Sequence, residues 1–446
     1  MRETRTAQSS IFDFYAQHEF GEFLSNLSDR LDQLPELLTL LEKDLKSSSV
    51  KATGRKGLSV ENVLRCMLLK QMTEVSYDQL AFHLADSATY RAFTRLRSTF
   101  APKKSALSQN IRRIQPETLK SIFEYLNLTA RDEGLLKTDL MRMDSTVVQS
   151  NIVNPSDSQL LNDGVRVLSR LFAKSQQRTG VKLRLTDHRK KARSLAAGIF
   201  YGKAAEKEPL YRLLLSTAQK VIQQSELALT QVRQKSLHSI GREAWLGQVE
   251  HYQALLLRVI DQTERRVIQG EKVPANEKLY SLFETHTDII IKDRRDIHYG
   301  HKINLATDVN GLITVLRIEE GNPADTVQYC PIVEDHKKLY SCVPQITVAD
   351  GGYASLSNIE AGKEEGVQKV VFHKKKGIRL SAMGIKQKTL EKLRNFRAGI
   401  EGNISELKRA FGAGKATWKG EDGFKAYVWT SVISYNLTRW VRMCSG

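Results

Sequence analysis

Apolar residues recur every three to four positions through the first third of the chain, and this spacing predicts helices. Leucines at this spacing run from Leu24 to Leu41, and we interpret residues 1–50 as an N-terminal helical segment. The same periodicity returns in residues 55–136, where Ser76 is a candidate N-cap. This part of the chain is therefore predicted to be all-α.

The pattern changes near Leu140, where short apolar and β-branched runs begin to predict strands. Two of these runs flank Asp308-Val-Asn-Gly311, which is a hairpin-type turn. The predicted strands cover residues 140–148, 301–307, 312–318, 345–349 and 368–372. Further helices are predicted at residues 325–340, 390–411 and 425–441. A long, mainly helical block separates the first strand from the second.

With that block removed, the element order is β-β-β-α-β-α-β-α, which is the order of a ribonuclease H-like core. We predict a mixed α+β multidomain chain with an all-α domain at 55–136. The ribonuclease H-like α/β core would comprise 137–155 and 286–415, with a C-terminal helix at 416–446 packed on it. The helical insertion at 156–285 should fold as its own bundle with its ends close together, since it interrupts a compact core.

Charge adds a candidate partner. Lys and Arg number 68 against 50 Asp and Glu, so the net charge is +18. This balance favours nucleic acid, and the alternative is a merely soluble basic protein. In this context residues 55–136 are interpreted as a helical DNA-binding domain. Residues 106–114 could be its recognition helix, with Arg112 and Arg113 facing DNA, or an ordinary solvated helix.

Cysteine spacing and hydropathy exclude other classes. The four cysteines form no Cys-x-x-Cys pair, which disfavours a zinc site and a disulfide framework. No apolar run approaches the ~20 residues of a membrane span. We therefore expect a soluble cytoplasmic protein without a membrane partner.

Three carboxylates are candidates for catalysis. Asp144 lies inside an apolar strand, where a bare charge is costly without a partner, and Asp350 follows a buried strand before two glycines. Glu401 lies on a basic helix, with Glu406 as its rival. Each has a structural alternative: a salt-bridged aspartate, an Asp-Gly turn and a helix-surface ion pair. Together these carboxylates could hold two Mg²⁺ or Mn²⁺ ions, which suit hard oxygen ligands and act on phosphodiesters.

These segments resemble the DDE transposases of bacterial insertion sequences. The family's late-helix signature is met by Arg397, Glu401 and Lys408, although Arg394 stands where the family has a tyrosine. Further similar segments begin at Asp144, Tyr299, Gly321 and Ala349. The resemblance implies metal-dependent cleavage and strand transfer on double-stranded DNA, both transposon ends and target. It also implies a homodimer in a paired-end complex, within the bacterial cytoplasm and on the nucleoid when DNA is bound.

Several cations are expected to contact phosphates around the site: Arg397, Lys408, His301, Lys302, Lys374, Lys375 and Lys376. Trp245 could wedge into DNA, although such a residue is more often core. The basic stretch from Arg178 to Arg193 could lie along DNA, reach a second subunit in a paired-end complex, or be a disordered loop. Two alternatives to an active transposase stay open: a nuclease that cuts without integrating, and a repressor with an inactive core.

Overall fold

The computed structural model describes residues 4, 15, 17–46, 57–97, 100–235, 239–292, 296–373 and 377–445. The chain divides into two compact units. Unit 1 comprises Met1–Asn151 together with Gly300–Gly446, and unit 2 comprises Ile152–Tyr299. Among the described residues, no helix is long and apolar enough to cross a membrane.

Unit 1 opens with helices whose starts follow from local capping chemistry. Ser59 and Ser76 each accept a hydrogen bond from the backbone three residues on and form capping boxes, which confirms the predicted cap at Ser76. The helices are α1 (Glu19–Asp32), α2 (Glu36–Leu45), α3 (Val60–Thr73), α4 (Tyr77–Asp86), α5 (Ala88–Thr94), α6 (Lys104–Ile111) and α7 (Pro116–Asp132).

The sheet of unit 1 begins directly after α7. Its strands are β1 (Leu140–Gln149), β3 (Asp296–Thr307), β4 (Ile313–Ile318), β5 (Ile346–Ala349) and β6 (Lys369–Phe372), and β2 (Asp288–Lys292) pairs with β3. β3 pairs antiparallel with both β1 and β4, whereas β1, β5 and β6 are parallel. The sheet is therefore mixed, with β1 in its middle, and all five predicted strands are present.

Helices from both ends of the chain cover this sheet. After the hairpin come α13 (Tyr329–Tyr340), α14 (Leu356–Glu364), α15 (Gln387–Ala410) and α16 (Glu421–Ser445). The largest core contains apolar side chains of α1–α7, β3, β4 and α16. A second core of unit 1 lies among β1, β5, β6, α13 and α14. The N-terminal helices thus share a core with the C-terminal helix, and the predicted boundary near residue 136 does not separate two compact units.

Unit 2 is a helical bundle with its own core. Its helices are α8 (Asp157–Ala173), α9 (Ser175–Thr179), α10 (Arg189–Tyr201), α11 (Ala204–Arg233) and α12 (Ile240–Thr263), followed by a π-helical turn at Glu264–Ile268. Leu214, Ala218, Val221 and Ile222 of α11 are buried, while Leu213 is half exposed. The unit extends beyond the predicted insertion, starting at Ile152 and ending at Tyr299.

The insertion leaves and rejoins the sheet at paired positions. Gln149 at the end of β1 lies opposite Gly300 on β3. A Cβ atom at Gly300 would meet the Val148 carbonyl oxygen at 2.0 Å, so only glycine permits this close approach of the two strands.

Candidate active site

Two aspartates lie on neighbouring parallel strands at the centre of the sheet. Met143 of β1 is paired with Ala349 of β5; Asp144 is the next residue of β1, and Asp350 directly follows the end of β5. The Asp144 Oδ1 atom accepts a hydrogen bond from the Ser145 backbone N–H at 2.8 Å. Asp350 Oδ1 accepts one from the Gly352 N–H at 2.6 Å. The sheet register and these backbone donors therefore hold two carboxylates side by side.

One guanidinium joins both aspartates to the helix glutamate. Arg397 Nη2 lies 2.9 Å from Asp144 Oδ2 and 3.9 Å from Asp350 Oδ2. Arg397 Nη1 donates to Glu401 Oε1 at 2.6 Å, one turn along α15. The side chain of Arg397 is only 15% exposed. The three carboxylates singled out in the sequence thus meet around a single cation.

The rival glutamate points elsewhere. Glu406 accepts hydrogen bonds from Arg439 at 3.1 Å and Arg442 at 3.2 Å, both on α16. A separation of five residues turns it about 500° from Glu401 around the helix, so the two side chains cannot share one face. The structure therefore brings Glu401, and not Glu406, to the aspartates.

A second arginine fixes the helix that carries Glu401. Arg142 of β1 is buried and donates from Nη1 to the Phe396 carbonyl at 2.7 Å and from Nη2 to Asn403 Oδ1 at 2.7 Å. Its Nε atom donates to Thr307 Oγ1 at 2.8 Å. These bonds tie β1 and β3 to α15 just before Arg397 and just after Glu401. They therefore fix the position of this part of the helix over the sheet.

Asp325 is a fourth carboxylate beside the cluster. A Cβ atom at Gly352 would lie 2.9 Å from Asp325 Oδ2 and 2.9 Å from Asp350 Oδ1, so the two carboxylates flank one glycine. Asp325 Oδ1 pairs with Lys302 Nζ at 2.5 Å, and Lys302 also donates to the Pro323 carbonyl at 2.8 Å. The segment Gly321–Asp325 was noted in the sequence for its resemblance only. The ion pair of Asp325 could not be predicted from the sequence, because its partner Lys302 lies on β3, far away along the chain.

A buried tyrosine lies under the aspartates. Tyr353 donates its hydroxyl to Asn304 Oδ1 at 2.6 Å, and Asn304 donates to Glu319 Oε1 at 2.9 Å. Burial, and then the charges of Asp325, Asp144 and Asp350, raise the pKa of Tyr353 well above its usual value. Tyr353 therefore stays protonated at neutral pH, and its hydroxyl is a poor nucleophile.

The structure corrects several predicted phosphate contacts. His301 is buried, with Nδ1 3.2 Å from the Glu319 carbonyl oxygen and its ring 4.7 Å from that of Phe424. Lys302 is buried against Asp325, and Arg397 is held by carboxylates. Both β3 side chains were predicted to contact phosphate around the site, but residues 300–307 of β3 are buried on both faces of the sheet. Lys408 is half-buried on α15, two turns beyond Glu401.

The remaining predicted contacts also differ from expectation. Helix α6 ends at Ile111, so exposed Arg112 and Arg113 follow the predicted recognition helix instead of projecting from its side. Lys374, Lys375 and Lys376 lie outside the described residues. Trp245 is buried in unit 2 and donates its indole N–H to the Leu171 carbonyl at 2.9 Å, so it is a core residue and not a wedge.

The cluster suits a cation in its chemistry. Its donors are all carboxylate oxygens, which favour hard divalent ions such as Mg²⁺ and Mn²⁺. They already surround one positive group, the Arg397 guanidinium. Within the described ranges no group of three or more His, Cys, Asp or Glu side chains is arranged to hold a metal ion. In this arrangement the Arg397 guanidinium is the group that bridges the three carboxylates.

Comparison with known families supports the resemblance noted in the sequence. The family described as Transposase DDE domain matches residues 258–437, a segment that contains Asp350 and Glu401. The family described as Transposase domain (DUF772) matches residues 13–113. Searches among curated proteins and among solved structures gave no match. With both of its matched segments assigned to transposases, the chain belongs to the insertion-sequence DDE transposases and is a DNA transposase.

Proposed function

We propose that this transposase cuts and joins DNA by divalent-cation-dependent phosphoryl transfer at Asp144, Asp350 and Glu401. The observation that carries the proposal is the meeting of these three carboxylates, from separate parts of the chain, around Arg397. When bound there, two Mg²⁺ or Mn²⁺ ions would activate the attacking oxygen and stabilise the leaving oxygen. The attacking groups are water for cleavage and the DNA 3′-hydroxyl for joining.

The arrangement of strands supports a ribonuclease H-like core. The order β4-β3-β1-β5-β6 has antiparallel pairs on one side of β1 and parallel pairs on the other. Asp144 lies on the central strand and Asp350 at the end of its parallel neighbour, where ligand sites of such sheets form. Glu401 comes from the late helix α15, which Arg142 ties to β1.

The residues near the cluster favour a direct transfer over a covalent protein–DNA intermediate. Tyr353 is the tyrosine nearest the aspartates in sequence, and its hydroxyl is buried, donates to Asn304 and is held protonated. A tyrosine nucleophile would instead need an accessible oxygen that loses its proton readily. The carboxylates of this chain therefore orient the reacting groups, and no side chain forms a covalent bond with DNA.

Charge and composition support DNA ends and target as the substrate. The net charge of +18 favours a polyanion, and exposed Lys190, Lys191 and Arg193 lie on α10 of unit 2. The exposed Arg112 and Arg113 add positive charge after α6. We propose that two copies pair two transposon ends, so that each end is cut only within a complex that also contains the other.

The decisive experiment compares Asp144→Asn with Glu406→Gln. Both variants remove one negative charge, but Glu406 faces Arg439 and Arg442 instead of the aspartates. Asp144→Asn should abolish Mg²⁺-dependent cleavage of end DNA while binding of that DNA persists. Glu406→Gln should still cleave. Cleavage by a clean Asp144→Asn preparation would refute the proposed chemistry.

A further inference from the structure

Arg397 has an unusual environment for a residue expected to contact phosphate. Its Nη2 atom faces Asp144 and Asp350, and its Nη1 atom binds Glu401. One positive charge is thus shared among three negative ones. A phosphate approaching this guanidinium would meet a net negative cluster, so the present position of Arg397 is unsuited to phosphate binding.

Arg397 and divalent cations compete for the same three carboxylates. Asp144 Oδ2 and Glu401 Oε1 are engaged at 2.9 and 2.6 Å, which are ordinary lengths for charge-assisted hydrogen bonds. A cation bound to these oxygens at about 2.0–2.2 Å would lie directly beside the guanidinium, and two positive groups this close repel each other. Binding of the cations therefore opposes retention of Arg397 in the cluster.

Without any cation, the cluster would be unstable. The register of β1 and β5 fixes the backbones of Asp144 and Asp350 side by side, and α15, which carries Glu401, is tied to β1 through Arg142. Like charges held this close repel one another unless a positive group lies between them. Arg397 is the positive group that the described structure places there.

We propose that Arg397 is a positioning residue, the internal counter-ion of the carboxylate cluster. It holds Asp144, Asp350 and Glu401 together while no divalent cation is bound, and it leaves them when the cations bind. The inference rests on the proposed function, in that the same three carboxylates are the metal ligands. The released guanidinium, one helical turn from Glu401, would then be free to bind a phosphate through its planar fork.

Lys302 provides a contrast within the same site. It pairs with Asp325 and also donates to the Pro323 carbonyl, so a backbone contact anchors it in place. Within the described part of the chain, the outer nitrogens of Arg397 hydrogen-bond to Asp144 and Glu401 and lie at ion-pair distance from Asp350, with no backbone contact. Cation binding should therefore release Arg397 and leave Lys302 where it is.

The test measures Mn²⁺ binding to the full-length protein without DNA, by electron paramagnetic resonance of the free ion. Wild type is compared with Arg397→Gln and with Arg442→Gln, which breaks the Arg442–Glu406 ion pair instead. Arg397→Gln should bind Mn²⁺ at least about tenfold more tightly and should melt at a lower temperature without metal. Arg442→Gln should resemble wild type, and Asp144→Asn should lose the site.

A second measurement uses the unaltered protein. Phenylglyoxal modifies accessible arginines, and mass spectrometry identifies the modified residue. Arg397 should react slowly in the metal-free protein and several-fold faster with Mn²⁺, while the exposed Arg442 reacts equally in both. One outcome would overturn the counter-ion role alone. In that outcome Mn²⁺ binding depends on Asp144, but Arg397→Gln binds Mn²⁺ as wild type does and Mn²⁺ does not change the reactivity of Arg397. If Mn²⁺ binding does not depend on Asp144, the proposed metal site itself is refuted.

Discussion

Gly399 lies against the guanidinium of Arg142, so close that a Cβ atom at Gly399 would meet Arg142 Nη1 at 2.2 Å. The contact places the middle of α15 directly on β1. Gly399→Ala should displace Arg142 or the helix and destabilise the protein by about 1–3 kcal/mol, as overpacking of a buried site does. It should also reduce cleavage, since Glu401 moves with the helix.

Gly402 provides the matched control on the same helix. A Cβ atom there would meet no atom within 4 Å. Gly402→Ala should be neutral or stabilise the helix by up to about 1 kcal/mol. Thermal melting of both variants checks the prediction, and equal melting temperatures for the two would contradict it.

Asp308 should give the stability a specific pH dependence. It is fully buried between backbone N–H donors of Lys137 and Leu312, and burial raises its pKa to about 6. The folded state therefore holds the proton more tightly than the unfolded state, so this contribution to stability is full below about pH 4 and lost as pH rises through about 6. Its size is on the order of 3 kcal/mol.

The measurement compares melting temperatures of wild type and Asp308→Asn between pH 4 and pH 7. The variant loses one acceptor for the two backbone N–H groups and should be less stable at low pH. The difference in melting temperature between the two proteins should become smaller as the pH rises, because only wild type loses the stability that the protonated Asp308 carboxyl provides. A constant gap across this range would show that Asp308 does not titrate there.

Tyr353→Phe tests whether the buried hydroxyl is structural. The variant leaves Asn304 Oδ1 without the donor at 2.6 Å, which should cost about 1–3 kcal/mol of stability. Cleavage at a temperature well below melting should persist, since the proposed mechanism forms no covalent Tyr353–DNA bond. Complete loss of cleavage in a folded Tyr353→Phe protein would favour a chemical role for this hydroxyl.

Lys302 and Asp325 should behave as a coupled pair. Removing one partner of a buried ion pair leaves an uncompensated charge and typically costs about 3–5 kcal/mol. Lys302→Met and Asp325→Leu should therefore each destabilise more than the double variant does. A double-mutant cycle on melting data measures this coupling, and strictly additive effects would show that the two side chains do not depend on each other.

Salt dependence of DNA binding separates buried cations from exposed ones. Neutralising Lys190, Lys191 and Arg193 of α10 should lower the log-log salt slope by up to about 0.9 for each phosphate that these side chains neutralise in wild type. Lys302→Met should leave the slope unchanged, because its charge faces Asp325. If Lys302→Met lowered the slope and the α10 variant did not, the result would indicate that DNA contacts β3 instead of α10.

The strands and their carboxylates could be predicted because their signals are local. An apolar run that ends in Asp-Gly-Gly predicts β5 and places Asp350 at its end, and the hairpin turn at Asp308–Gly311 predicts β3 and β4. Cap chemistry likewise predicts the start of α4 at Ser76. In each case, neighbouring residues alone determine the conformation.

The partners of charged side chains could not be predicted, because they are distant in sequence. Arg142 contacts Phe396 and Asn403, and Lys302 contacts Asp325, so neither charge is at the surface where a basic residue is expected. The sequence places Arg397 on the same helix face as Glu401, which predicts phosphate contact beside the metals, with an ion pair between the two residues as the alternative. The two aspartate partners of Arg397 come from strands that only the folded sheet brings near α15.

The pairing of Gln149 with Gly300 makes unit 2 a replaceable module. Its chain enters and leaves through two adjacent antiparallel strands, which a two-residue Asn-Gly turn can also join. Evolution could therefore lengthen, exchange or delete the whole helical block between Gln149 and Gly300 without shifting the β1–β3 register that positions Asp144. A related enzyme could thus change how it handles DNA and keep the same chemistry.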